Sequence, residues 1–278
     1  MKSAPFAYER PNDISGVLAL MAMPDVSTKI MAGGQSLGPM LNLRLAAPDV
    51  IVDITALPEL KRANTDNGDL ILGACVTHAD IEDGRTSDVT RGAMQRVASA
   101  IAYRAVRNRG TIGGSLSHAD PSADWVSALA ALGATLMLQS ANATRHVAMV
   151  DFVLGALETS LKSGEIVVSI RIPPLPVSAR WGYAKSCRKP GEFARAIGAV
   201  LIDPDAATAR VVIGAIEAAP IVIGDASELF GGKINGDFKQ TFDVRVADRI
   251  LAAAGLTDAA DRQIHVAILR RAVAEAAA

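Results

Sequence analysis

Ala32-Gly33-Gly34-Gln35-Ser36-Leu37 and Thr111-Ile112-Gly113-Gly114-Ser115-Leu116 are the stretches on which the fold turns: two glycine pairs about eighty residues apart, each running into a serine and a leucine. A Gly-Gly step allows φ > 0 and close approach of the backbone, so successive N–H groups can face one concavity and hold an anion. Ser36, Thr111 and Ser115 add hydroxyl donors. One such pair alone reads as a tight turn. Two with matching hydroxyls suggest a single ligand carrying more than one phosphate. Neither segment contains G-x-G-x-x-G or the lysine of a P-loop, so both common nucleotide fingerprints are absent.

Working outward, the pattern predicts a helix over Ile14 to Ala22 capped by Asn12 or Asp13, and a strand Thr28 to Ala32 entering the first glycine segment. A short helical stretch after Leu37 and a strand Val50 to Ile54 complete a small βαβ-like unit. Leu70 to Ala74 reads as a strand, Thr77 as the N-cap of a helix, and Gly92 to Val106 as one continuous helix. Arg104, Arg107 and Arg109 lead into the second glycine segment, either as solvated charge or as neutralisers of a diphosphate or an acidic partner. Asp124 to Leu132 is a further Ala-rich helix, and Ala134 to Leu138 pairs with Arg145 to Ala148 as a hairpin. The alternating strand Glu165 to Ile172 stops at Pro173-Pro174-Leu175-Pro176, which sets the main boundary. Beyond it, strands over Trp181 to Lys185, Phe193 to Leu201 and Thr208 to Ile216 precede helices over Val244 to Ala254 and Ile264 to Ala277.

Composition narrows the partners. A chain of 278 residues, half of them apolar, has material for two domains, while a net charge of −1 offers no field for nucleic acid or an anionic membrane surface. Cys75 and Cys187 lie far apart with no CxxC or Cys/His cluster, which argues against a metal or iron–sulfur site made by this chain. The N-terminal stretch has no apolar core of a signal peptide and no run spans a bilayer, so a cytoplasmic protein is expected.

The first block continues into Leu43-Arg44-Leu45 and Val52-Asp53-Ile54; the second extends from Val106-Arg107-Asn108-Arg109-Gly110 through Ser117-His118-Ala119-Asp120-Pro121. Across essentially its whole length the chain resembles the FAD-binding medium subunits of molybdenum-containing hydroxylases, the group that includes carbon monoxide dehydrogenase, quinoline oxidoreductase and xanthine dehydrogenase. The resemblance implies an α+β fold. Residues 1–174 would form a two-subdomain FAD-binding domain of the vanillyl-alcohol-oxidase (PCMH) type, divided near residue 57, and residues 178–278 a smaller α+β domain. Ala32, Gly33, Gly34, Gln35, Ser36 and Leu37 would cradle the FAD diphosphate, with Thr111, Ile112, Gly113, Gly114 and Ser115 closing from the other side. By the same resemblance, His118 and Asp124 match positions that the family places near the cofactor's ribityl and ribose hydroxyls, and Ala102 one where a helix packs on the flavin side. Lys185 would favour the negative charge of a reduced ring and Phe193 would cover its face. Family members usually have Asp and often Tyr where this chain has Glu192 and Phe193, and Pro190 is a further departure.

The function so implied is electron transfer: FAD on this chain, 2Fe-2S clusters on a small partner subunit, molybdopterin on a large one, an external acceptor, and a dimer of heterotrimers. A self-contained flavoenzyme would instead need an acid or nucleophile beside the flavin, for which Cys187 and Glu192 are the candidates. An assembly module that has lost FAD is the third reading, against which the intact glycine pairs stand.

Overall fold

The computed structural model describes residues 2–278, and its three main sheets follow one another along the chain. β1 (Ala7–Glu9), α1 (Ile14–Met21), β2 (Thr28–Met31), α2 (Leu37–Asn42) and β3 (Val50–Asp53) build a parallel sheet of order β1-β3-β2. Parallel neighbours need crossovers, and α1 and α2 supply them. Asp13 caps α1 by accepting from the Gly16 amide, as its sequence position suggests. β1 is absent from the sequence reading; its residues are all exposed and it is held by pairing with Val50 to Val52.

The second sheet is antiparallel, of order β4-β5-β10-β6-β7. Its strands are β4 (Ala63–Asp66), β5 (Asp69–Gly73), β6 (Thr135–Gln139), β7 (Thr144–Ala148) and β10 (Ile166–Ile172). The short pair β8 (Val153–Gly155) and β9 (Glu158–Thr159) sits between β7 and β10 in sequence. Between β5 and β6 run α3 (His78–Glu82), α4 (Ala93–Ser99), α5 (Arg104–Arg107), α6 (Ile112–His118) and α7 (Asp124–Leu132). Thr77 caps α3 in a full capping box with Asp80.

Two expectations are corrected here. The helix expected over Gly92 to Val106 is two helices, α4 and α5, because the chain turns at Ala100 to Tyr103 with Ala102 at φ 41°. The second glycine pair is not a tight turn but lies in the first turn of α6, N-capped by Thr111, whose hydroxyl accepts from the Gly114 amide. Of the four paired glycines only Gly34, at φ 72°, takes the left-handed region. The other three are required by close approach: a Cβ would lie 1.8 Å from the Arg109 carbonyl oxygen at Gly33, 2.4 Å from the Ala74 Cβ at Gly113, and 2.8 Å from the Thr111 Oγ1 at Gly114.

After Pro173 to Pro176, which belong to no helix or strand, the third sheet is an antiparallel meander. It comprises β11 (Arg180–Ser186), β12 (Ala196–Asp203), β13 (Thr208–Gly214) and β14 (Ile221–Ile223). The strand read as starting at Phe193 begins at Ala196. Three α-helices follow: α8 (Phe238–Thr241), α9 (Val244–Ala253) and α10 (Ala259–Ala276). Strand residues alternate between faces: Val200, Ile202, Val211 and Ile213 pack with α9 and α10, while Ala199 and Val212 join the core around α7. Every residue of α7 is buried, because the helix is covered on one side by the second sheet's core and on the other by the third sheet.

Candidate functional site

A cleft of about 910 Å³ runs between the first sheet, α6 and the third sheet, at the upper end of the sizes small-molecule sites take. Ala32, Gly33, Gly34, Gln35, Ser36 and Leu37 form one wall; Thr111, Gly113, Gly114, Ser115 and His118 form another; Ala102, Asp124, Lys185 and Phe193 complete it. Ile112 is the exception among the residues expected at the site. Its side chain is fully buried in the core and its amide donates to the Val76 carbonyl.

The two glycine walls are chemically different. The five successive amides of Gly33, Gly34, Gln35, Ser36 and Leu37 donate to no acceptor among the described residues. A run of N–H groups left unpaired at the edge of a cleft is a nest for an anion, because leaving them unmet is costly. In the second segment the amides from Ile112 to Ser115 are already used: Ile112 donates to Val76, Gly113 to Ala74, Gly114 to the Thr111 hydroxyl and Ser115 to the Thr111 carbonyl. That segment therefore offers the Ser115 hydroxyl, which has no partner among the described residues, and a surface with no side chain at Gly113 and Gly114. Of the amides from Thr111 to Ser115 only that of Thr111 donates to no acceptor among the described residues, so most of the free amides along the cleft belong to the first segment.

The arginines before the second segment are also placed. Arg104 and Arg107 pair with Glu82 at 2.6 and 2.8 Å, and Arg104 also with Asp83 at 2.6 Å, so both are engaged away from the amide nest. Arg109 is exposed and makes no ion pair among the described residues. Asp124 begins α7, where a carboxylate suits the helix dipole, and its Oδ1 accepts from the Lys185 Nζ and the Tyr183 hydroxyl, both at 2.7 Å. Lys185 donates a second hydrogen bond to the Ala100 carbonyl at 2.8 Å. Burial, reinforced by the Asp124 charge, pushes the Tyr183 phenol well above its ordinary value, so it stays a donor. Phe193 is 73% exposed at the rim of the cleft, not packed in a core.

Sequence reasoning missed His78, Tyr103 and Gly191, which also line the cleft. His78 is buried, takes a hydrogen bond on Nδ1 from the Trp125 indole at 3.0 Å, and is lowered to about 4, first by burial and then by the Arg107 charge. The candidates for a self-contained chemistry are not poised. Burial pushes the Cys187 thiol up, and Glu192 is held by Arg188 at 3.1 Å.

The sequence profile described as the FAD-binding domain in molybdopterin dehydrogenase matches residues 4–175. The chain belongs to this family. Membership makes it the FAD-binding component of an oxidoreductase of the molybdopterin-dehydrogenase type. Its relatives include the caffeine dehydrogenase subunit beta of Pseudomonas sp. (strain CBB1), 30% identical over all of this chain and 96% of that protein. Among solved structures, carbon monoxide dehydrogenase from Hydrogenophaga pseudoflava superposes with a TM-score of 0.87 at 29% identity, covering 99% of this chain and 98% of that one. Quinoline 2-oxidoreductase from Pseudomonas putida 86 gives 0.83 at 30% identity with all of both chains covered. These likenesses extend beyond residue 175, so family members of this type share the third sheet and its helices as well. No described helix is long and apolar enough to cross a membrane.

Proposed function

We propose that this chain is the FAD-carrying electron-transfer subunit of a cytoplasmic molybdenum hydroxylase, seated between an iron–sulfur subunit that delivers electrons and an external acceptor that removes them. The large molybdopterin subunit would oxidise the organic substrate, and the assembly would be a dimer of heterotrimers. The observation that carries this reading is the row of five unpaired amides on residues Gly33 to Leu37, all of which line the cleft. Backbone N–H groups suit a diphosphate because they bring positive ends without a proton to lose. The fit of the group rests on that nest and on the close backbone packing that Gly33 and Gly113 permit against Arg109 and Ala74, which draws the two walls of the cleft together.

The remaining roles follow the cleft. Ser36 and Ser115 would add hydroxyl donors to the diphosphate, Asp124 would accept from a cofactor hydroxyl through Oδ2, and His118 would lie beside the same chain of hydroxyls. Bound FAD supplies a centre able to exchange one or two electrons. Lys185, with two donor positions taken by Asp124 and Ala100, would present its positive charge to the ring end, and Phe193 would shield that end from water. In this reading residues 1–174 form the two-subdomain FAD-binding domain of the PCMH type, with the first sheet and the second sheet as its subdomains, and residues 178–278 form the second domain.

The test is a native purification of the complex with its visible spectrum, extracted flavin and partner masses. FAD with iron–sulfur absorbance and two partner chains is the expected result. Absence of flavin, or flavin on a chain that purifies alone, overturns the assignment.

A further inference from the structure

The turn from Ala100 to Tyr103 separates α4 from α5 and lines the cleft through Ile101, Ala102 and Tyr103. Its first three carbonyls are each held from outside. Lys185 of the third sheet donates to Ala100 at 2.8 Å, and Arg107 Nη1 donates to Ile101 at 2.8 Å and to Ala102 at 3.2 Å. Arg107 is itself fixed by two hydrogen bonds of 2.8 Å from Nε and Nη2 to Glu82, and its side chain is only 11% exposed. Inside this clamp Ala102 sits at φ 41°, a left-handed conformation that side chains disfavour and that persists only where the surroundings over-determine it. The last contact comes from the loop after β11. Gly191, at φ 85°, lies against the Tyr103 ring so closely that a Cβ there would be 2.5 Å from the Tyr103 Cζ.

Nothing in the sequence of the turn demands this conformation: Ala100-Ile101-Ala102-Tyr103 has no glycine or proline. The conformation is imposed by two cations and one aromatic contact, and Lys185 and Gly191 both belong to the chain beyond the Pro173 to Pro176 connector. We propose that Arg107 and Tyr103 are positioning residues for the redox end of the cleft: they hold the Ala102 turn as a rigid wall against the flavin ring, so that the wall's place is set jointly by α5 and the Gly191 loop. This rests on the FAD reading above. Arg107 acts through the Ile101 and Ala102 carbonyls, and Tyr103 acts through its seat on Gly191; neither contributes to the amide nest.

The test uses the assembled complex with Arg107→Lys, Tyr103→Ala and Tyr103→Phe. Arg107→Lys keeps the charge but loses the fork that spans Glu82 and the two carbonyls. Tyr103 is 61% exposed, so Tyr103→Ala does not open the core. Flavin content, the visible flavin bands, the midpoint potential and the rate of reoxidation are read for each. Arg107→Lys and Tyr103→Ala are expected to retain FAD, to shift the bands and the potential, and to slow reoxidation several-fold, with the wild-type potential recovered in Tyr103→Phe because the ring remains. Flavin-loaded Arg107→Lys and Tyr103→Ala complexes with the wild-type bands and potential overturn the inference alone. A wild-type complex without flavin overturns the cofactor reading first.

Discussion

Gly33 and Arg109 meet backbone to backbone: a Cβ on Gly33 would stand 1.8 Å from the Arg109 carbonyl oxygen and 2.5 Å from its carbon. The contact joins the first glycine segment to the residues that lead into the second, so the separation of the cleft walls depends on that glycine. Gly33→Ala should force the walls apart, lower stability by about 1–3 kcal/mol and abolish flavin retention. Gly38, in α2, has open space where a Cβ would stand, with no neighbouring atom within 4 Å, so Gly38→Ala should be neutral or stabilising by up to about 1 kcal/mol and keep its flavin. The ratio of flavin to protein absorbance, with denaturant melts, decides; stoichiometric flavin in Gly33→Ala would refute the loop assignment.

His78 links stability to pH. Its folded value, about 4, is below the 6.5 of the free side chain, so on acidification the unfolded chain takes up a proton before the folded one does. Stability should therefore fall between about pH 6.5 and pH 4, by about 3 kcal/mol in total from this residue. Urea midpoints measured across that range should be flatter in His78→Gln; an unchanged slope would assign the effect elsewhere.

Lys185→Met removes one of the two donors on Asp124, whose side chain is 9% exposed, and leaves a carboxylate with only the Tyr183 hydroxyl. A loss of about 3 kcal/mol is expected, part of it recovered in Lys185→Met/Asp124→Leu because the stranded charge is then gone although the Tyr183 hydroxyl loses its acceptor. Chemical denaturation of the two variants side by side is the measurement, and equal losses would contradict it.

Ala102→Gly reverses the usual rule. Replacing alanine by glycine in an ordinary helix costs roughly 0.5–1 kcal/mol. At φ 41° the glycine relieves strain, so the variant should be as stable as the wild type or more so. A loss of a full kcal/mol in thermal or urea melts would show that the turn stores no strain.

What was legible in the sequence was what local chemistry decides. Asp13 and Thr77 cap their helices through side-chain bonds spanning three residues, and α7 runs from Asp124 to Leu132 as its Ala-rich pattern reads. The β6–β7 hairpin follows from alternation across a short turn. The misses all depend on distant partners. β1 exists only through pairing with Val50 to Val52, and α6 keeps two glycines in its first turn because Ala74 and Val76 receive its amides. The break at Ala100 to Tyr103 is written in Arg107 and Lys185 rather than in the turn itself. At the site, the glycine segments were readable as a pair, but that Ile112 and Gly113 would spend their amides was not, since this depends on where the chain after β5 passes. His78, carried on α3, gave no signal distinguishing it from any buried histidine.

The buried position of α7 separates two boundaries that are often assumed to coincide. The chain crosses from one half to the other at Pro173 to Pro176, yet the third sheet rests on a helix that lies upstream of that crossing, and a Cβ on Gly214 would meet the Ser127 Oγ at 1.9 Å. A fragment cut at the prolines would carry away a sheet with one face bare and leave a helix stripped of its cover. Grafting the C-terminal half of a relative onto this chain would therefore demand refitting of Ser127 and its neighbours, and the two halves should melt as one.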